Sequence, residues 1–184
     1  MVAPLGALGP DLRSLQGRVL SIGCGHAMVD RYIAEINGAL EIDGIDVDPS
    51  RVRVAGQTPG HPRVSVREGD AAALDGGQGY DGALAFDVMH HIDAGEHAAV
   101  ADGLARSVRA GGTCLVKDIA TRPHWKHEFN RLHDRLVAGP EPVHCRSPRE
   151  MAEVFSRAGF EPLSASRIGR LGPYPHYLLR LRRR

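Results

Sequence analysis

The stretch "RVLSIGCGHAM", residues 18–28, decides the fold. Val19, Leu20 and Ile22 are strand formers, they stop at Gly23-Cys24-Gly25, and a helical pattern begins just beyond. Such a junction is built to hold a ligand. Glycine lets backbone lie close to a bound group, and the first turn of the helix offers unpaired N–H donors. In an open parallel sheet the ligand site lies beyond the carboxyl ends of the strands.

The rest of the chain supplies that sheet. Arg18–Ile22, Leu40–Ile45, Arg63–Val66, Tyr80–Phe86 and Thr113–Ile119 read as strands. Helical patterns lie between them at Met28–Ile36, after Asp48-Pro49 and over Ala94–Arg109, the last stopped by Ala110-Gly111-Gly112. Alternation of this kind predicts βαβ units with right-handed crossovers. Over 120–146 the rhythm breaks. Pro123 starts a helix with Trp125, Phe129, Leu132 and Leu136 on one face, ending near Gly139-Pro140. Ser147-Pro148-Arg149-Glu150 then opens a helix that runs to Ala158 and ends at Gly159. Glu161–Arg167 and Tyr174–Arg182 alternate and read as a terminal strand pair.

Size and composition narrow the class. The 184 residues fit one domain, 42% hydrophobic and 24% charged, as in ordinary globular chains. A net charge of +1 argues against a nucleic-acid footprint, and the basic run LLRLRRR reads as a solvated tail after a last strand. No apolar run approaches the roughly 18 residues of a membrane span. The opening residues lack a basic leader and are broken by Pro4 and Pro10, so a cytoplasmic protein is expected. Cys24, Cys114 and Cys145 form neither a disulfide framework nor a CxxC metal motif.

Two nucleotide readings of the glycine loop fail. A dinucleotide turn needs GxGxxG, and Met28 stands at the third glycine; a phosphate-binding P-loop needs GK[ST], which does not follow. The loop instead resembles motif I of the class I S-adenosylmethionine-dependent methyltransferases of small-molecule type. "LEIDGIDVDPS" resembles their second-strand motif, "VREGDAAAL" the third, "YDGALAFDVMHHI" the fourth-strand motif and "RAGGTCLVKDI" the entry to the fifth strand. The ordered set covers roughly residues 15–182.

That resemblance implies an α/β fold: a Rossmann-like three-layer αβα sandwich whose seven-stranded, mostly parallel sheet has the order 3-2-1-4-5-7-6, with strand 7 antiparallel. It implies S-adenosyl-L-methionine as cofactor and S-adenosyl-L-homocysteine as product. Ser21, Gly23, Cys24 and Gly25 would hold its methionine and ribose portions, Asp46 the ribose hydroxyls, and Val47 the adenine face. Asp70 and Ala71 would meet the adenine edge, and Asp87 and Val88 would border the methionine moiety. Two positions depart from the family: Ser21 stands where it often has Asp, and Ala27 where it often has Gly.

Methyl transfer asks the protein mainly to align nucleophile and methyl group. A hydroxyl acceptor would also need a base. His90 and His91 are candidates, with a structural or cofactor-shaping role as the alternative; Asp118 could bind or deprotonate a substrate, or cap the next turn. His124, His127 and His133 do not share a helix face, so no metal is expected. The short N-terminal segment 1–17 leaves 120–146 as the main lid. An open acceptor site is therefore expected, for a small or medium organic metabolite, lipid-like or carrier-tethered, or a site completed by a second subunit in a homodimer. The alternative is a non-catalytic cofactor-binding or scaffold protein that kept the fold.

Overall fold

In a computed structural model, residues 5–58, 60–77, 79–120, 143–168 and 175–184 are described. Seven strands form one sheet: β1 Gly17–Ile22, β2 Leu40–Asp46, β3 Val64–Glu68, β4 Tyr80–Phe86, β5 Val108–Ile119, β6 Phe160–Ile168 and β7 His176–Arg183. Their order is β3-β2-β1-β4-β5-β7-β6. The first five run parallel, and β7 is antiparallel to both of its neighbours. The expected sheet order and the reversed last strand are observed.

Among the described residues, five α-helices cover the two faces: α1 Gly9–Ser14, α2 Met28–Ile36, α3 Pro49–Gln57, α4 His97–Ser107 and α5 Pro148–Arg157. The two-residue period of the strands sorts side chains between two cores. Leu20, Ile22, Ala83, Ala85, Cys114 and Val116 pack with α4 and α5. Val19, Leu84 and Leu115 pack on the other face with α1 and α2. Burying one such aliphatic side chain stabilises the fold by about 1.5–3 kcal/mol. Asn37 fastens α1 to the end of α2, its Nδ2 donating to the carbonyls of Leu12 and Leu15 at 2.8 and 2.9 Å.

The helix starts follow the sequence signals. Asp48 accepts the Ser50 N–H at 2.8 Å, with Pro49 in the first turn. Ser147 and Glu150 form a capping box ahead of α5. Several boundaries differ from the pattern: β3 lies at Val64–Glu68, and the helix expected from Ala94 starts at His97. The helix expected over Ala94–Arg109 ends at Ser107, and β5 begins at Val108, before the glycine pair. Tyr80 pairs with Val108 but Gly82 pairs with Thr113, so residues 109–112 bulge out of the ladder, with Gly111 at φ 81°. Apolar periodicity carries over into such a bulge without a break. The expected helix over 123–139 and the lid it would form lie almost wholly outside the described residues.

Candidate active site

The strand period also decides which polar groups meet. Ser21 and Lys117 share the face of Val19 and Leu115, so both point toward α2; Asp118 points the other way. At the carboxyl end of β1 the glycine loop turns sharply. Gly23 sits at φ 63°, and a Cβ there would lie 2.2 Å from the Val88 side chain. Gly25 sits at φ 56° with open space where a Cβ would be. Ala27 adopts φ 56° and ψ 23° as the N-cap of α2, so a left-handed backbone is carried by a residue with a side chain.

Asp46, at the end of β2, fixes this loop. Its Oδ2 accepts the Gly25 N–H at 2.7 Å and its Oδ1 accepts the Asp48 N–H at 3.0 Å. Its carbonyl accepts the Gly69 N–H at 3.0 Å, joining the end of β3 to the same point. Val47, beside it, is 65% exposed, an apolar face left open next to the carboxylate. Asp70 is exposed and its Oδ1 accepts the Ala72 N–H at 2.8 Å, while Ala71 is buried in the short turn that follows. Burial pushes the Cys24 thiol up to about 12, with Asp30 and Asp46 adding to it, so Cys24 stays protonated and acts as a small residue in the turn.

Ser21, Gly23, Cys24 and Asp87 border a cavity of about 60 Å³ at the end of β1 and β4. Five further residues line it that the motifs did not assign: Ile22, Val29 and Phe86, which are apolar, and the charged Asp30 from α2 and Lys117. Asp30 is 3% exposed and its Oδ1 accepts the Ser21 hydroxyl at 2.8 Å. Its Oδ2 has no hydrogen-bond partner among the described residues. Burial raises its carboxyl to about 6 despite the Ser21 bond. Lys117 is fully buried and ion-paired with Asp87, whose backbone is at φ 52°. Burial, then the nearby Lys117, lowers His176 to about 4, so its imidazole is neutral beside the pair.

The run after β4 separates its two histidines. His90 is fully buried and its Nδ1 hydrogen-bonds Asp118, while Asp118 also accepts the backbone N–H groups of His90 and Ile119 at 3.1 and 2.7 Å. His91 is exposed, its ring 4.1 Å from that of His90. Of the three candidate acid–base groups, only His91 meets solvent, and Asp118 has the contacts of a clamp on the turn. No motif in the sequence marks Asp30, which reads there as an ordinary charged residue of a helix.

The site suits an adenosyl amino acid. A carboxylate held at the end of β2 beside an open apolar residue can take a ribose and an adenine. A cavity with an unpartnered buried carboxylate oxygen can take the charged end. Asp46 and Val47 would hold the first two, and the glycine loop with the cavity wall the last.

The model of a family described as methyltransferase domain matches residues 4–165. No curated protein matches the chain by sequence. Among solved structures, the chain is similar to an S-adenosylmethionine-dependent methyltransferase from Methanosarcina mazei (TM-score 0.76, 16% identity, covering 99% of this chain and 98% of that one). It is similar to the protein of a structure titled for the conversion of a disulfide bond into a thioacetal group during echinomycin biosynthesis (TM-score 0.76, 23% identity, 98% and 81% covered). It is also similar to the [4+2]-cyclase SpnF (TM-score 0.75, 19% identity, 97% and 79% covered). At these identities the structures speak for the fold alone. No helix among the described residues is long and apolar enough to cross a membrane.

Proposed function

The chain belongs to the methyltransferase-domain family, whose cofactor is S-adenosyl-L-methionine, and from that premise we propose that it methylates a small or medium organic acceptor, free or carrier-tethered. When bound, the cofactor supplies a methyl group on a sulfonium whose leaving group is a neutral thioether. The protein's part is alignment. The observation that carries this reading is the bond from Gly25 N–H to Asp46 at 2.7 Å, which couples the glycine loop to the ribose-binding carboxylate. Asp46 retains lone pairs for two hydroxyls after accepting its backbone donors. His91, at the solvent side of the run after β4, is the group we assign to proton removal from a hydroxyl acceptor. The buried His90–Asp118 pair holds that run in place.

A second reading keeps the cofactor without methyl transfer. Ser21 and Ala27 depart from the family's loop, and a [4+2]-cyclase shares this fold. Calorimetry with S-adenosyl-L-methionine, followed by a methyl-transfer screen against small hydroxyl, amine and thiol compounds, separates the two. No binding at millimolar cofactor sinks the enzyme reading. Binding without transfer to any class of acceptor favours the second.

A further inference from the structure

Three charged groups border the cavity at the end of β1: Asp30, Asp87 and Lys117. Lys117 and Asp87 are paired with each other. Arg31, next to Asp30 in sequence, is turned to α3, where its NH2 group donates to the Ala55 carbonyl at 2.6 Å, and it makes no ion pair with Asp30 among the described residues. The Arg31 charge lowers the Asp30 carboxyl through space, but no cation is in contact with it among the described residues, so Asp30 is the one charged group of the cavity wall without a paired counter-charge. One of its oxygens is held by Ser21, and the other has no partner among the described residues. A buried carboxylate in this state opposes folding. Its burial raises it to about 6, so near neutral pH it is largely ionised at that cost. What it lacks is a cation.

Resting on the cofactor reading above, we infer that Asp30 anchors the α-ammonium of the cofactor's methionine portion, with Ser21 orienting its carboxylate. The strand residue that would ordinarily bring this charge is here an uncharged hydroxyl, and the helix supplies the carboxylate across a 2.8 Å bond. Asp30 is thus a binding residue, and Ser21 is a positioning residue that acts through it. An ammonium seated there would give Asp30 a charge-assisted bond, the strong kind of hydrogen bond.

The test is calorimetry on wild type, Asp30→Asn and the relocated pair Ser21→Asp/Asp30→Ser. The ligands are S-adenosyl-L-methionine, S-adenosyl-L-homocysteine and 5′-methylthioadenosine, which lacks the amino-acid end. Asp30→Asn should bind the first two at least about tenfold more weakly and 5′-methylthioadenosine unchanged. The relocated pair should recover most of the loss. Equal affinity of Asp30→Asn and wild type for S-adenosyl-L-homocysteine overturns the inference and leaves the cofactor reading standing. A loss confined to S-adenosyl-L-methionine also overturns it, because the charge sensed would be the sulfonium. An equal loss for all three ligands overturns it too, marking Asp30 as a support of the loop. If wild type binds none of them, the cofactor reading falls and this inference with it.

Discussion

Lys117 and Asp87 form an ion pair that ties the end of β5 to the turn after β4, with the lysine side chain wholly buried and the carboxylate 17% exposed. The Asp87 carboxylate also lies 3.6 Å from His176 Nδ1 on β7, so three strands converge on one charge. Asp87 occupies a left-handed backbone conformation, which costs a non-glycine residue about 1–2 kcal/mol. The pair holds that turn against the cavity wall.

Removing one partner should cost more than removing both. Lys117→Met leaves a carboxylate without its cation and should lower stability by about 3 kcal/mol. Lys117→Met with Asp87→Asn should recover most of it, since Asn tolerates the left-handed backbone. Urea unfolding of both variants measures this. A single variant as stable as wild type would show that solvent already satisfies Asp87.

Two buried groups pull the pH dependence of stability in opposite directions. Asp30 is raised to about 6, so the folded state holds its proton more tightly and gains stability as pH falls from about 6 toward the ordinary carboxylate range. His176 is lowered to about 4, so the unfolded state takes up the proton first and stability is lost as pH falls below about 6.5. Asp30→Asn removes the first effect alone. It should be more stable than wild type at pH 7.5 by about 2–3 kcal/mol, the worth of a two-unit shift. It should also lose stability more steeply between pH 7 and pH 5. Thermal melts across that range check both, and parallel curves for the two proteins would refute the assignment.

Ala27 carries the left-handed N-cap of α2 with a side chain that has no exposure. Ala27→Gly should relieve that strain, less the extra entropy of glycine in the unfolded chain, for a net gain of about 0.5–1 kcal/mol. Cofactor affinity should not fall. A destabilised Ala27→Gly protein would mean that the buried methyl's packing outweighs the backbone term.

His91 and Asp118 should separate in kinetics. His91→Ala should reduce turnover several-fold while leaving cofactor affinity near wild type, and its pH–rate profile should lose its acidic limb. Asp118→Ala strips acceptors from two backbone N–H groups and from His90. It should lower the unfolding free energy by about 2 kcal/mol or more. Equal losses of binding and turnover in His91→Ala would assign that residue a structural role.

Most of the sheet could be read before the structure, because β1 and β4 carry apolar runs, the β6–β7 segments alternate, and turn chemistry marks the strand ends. The bulge at 109–112 could not, since Val108 falls at helical spacing after Val100 and Leu104 although it already belongs to β5. Asp46 was legible because it closes a strand in a motif. Asp30 and Lys117 were not. A charged residue in a helix or strand reads as surface, and only the sheet's registration, which pairs Lys117 with Phe86, brings it beside Asp87, thirty positions earlier. The left-handed Ala27 was visible as a missing glycine, but whether the position needed that conformation is a property of the folded loop.

β7 lies between β5 and β6, which sets the order in which a growing chain can close. Translation at about 5–20 residues per second delivers Phe160–Ile168 before the strand that joins it to the sheet. Until His176–Arg183 leaves the ribosome, β6 has no neighbour to bond and β5 shows a bare edge, the template on which strands of different chains pair wrongly. A nascent chain halted before residue 176 should be far more sensitive to protease than one released beyond Arg183, and equal resistance would mean that the first five strands hold without the last two. The late arrival of eight residues therefore governs when this protein becomes safe from its own neighbours on a polysome.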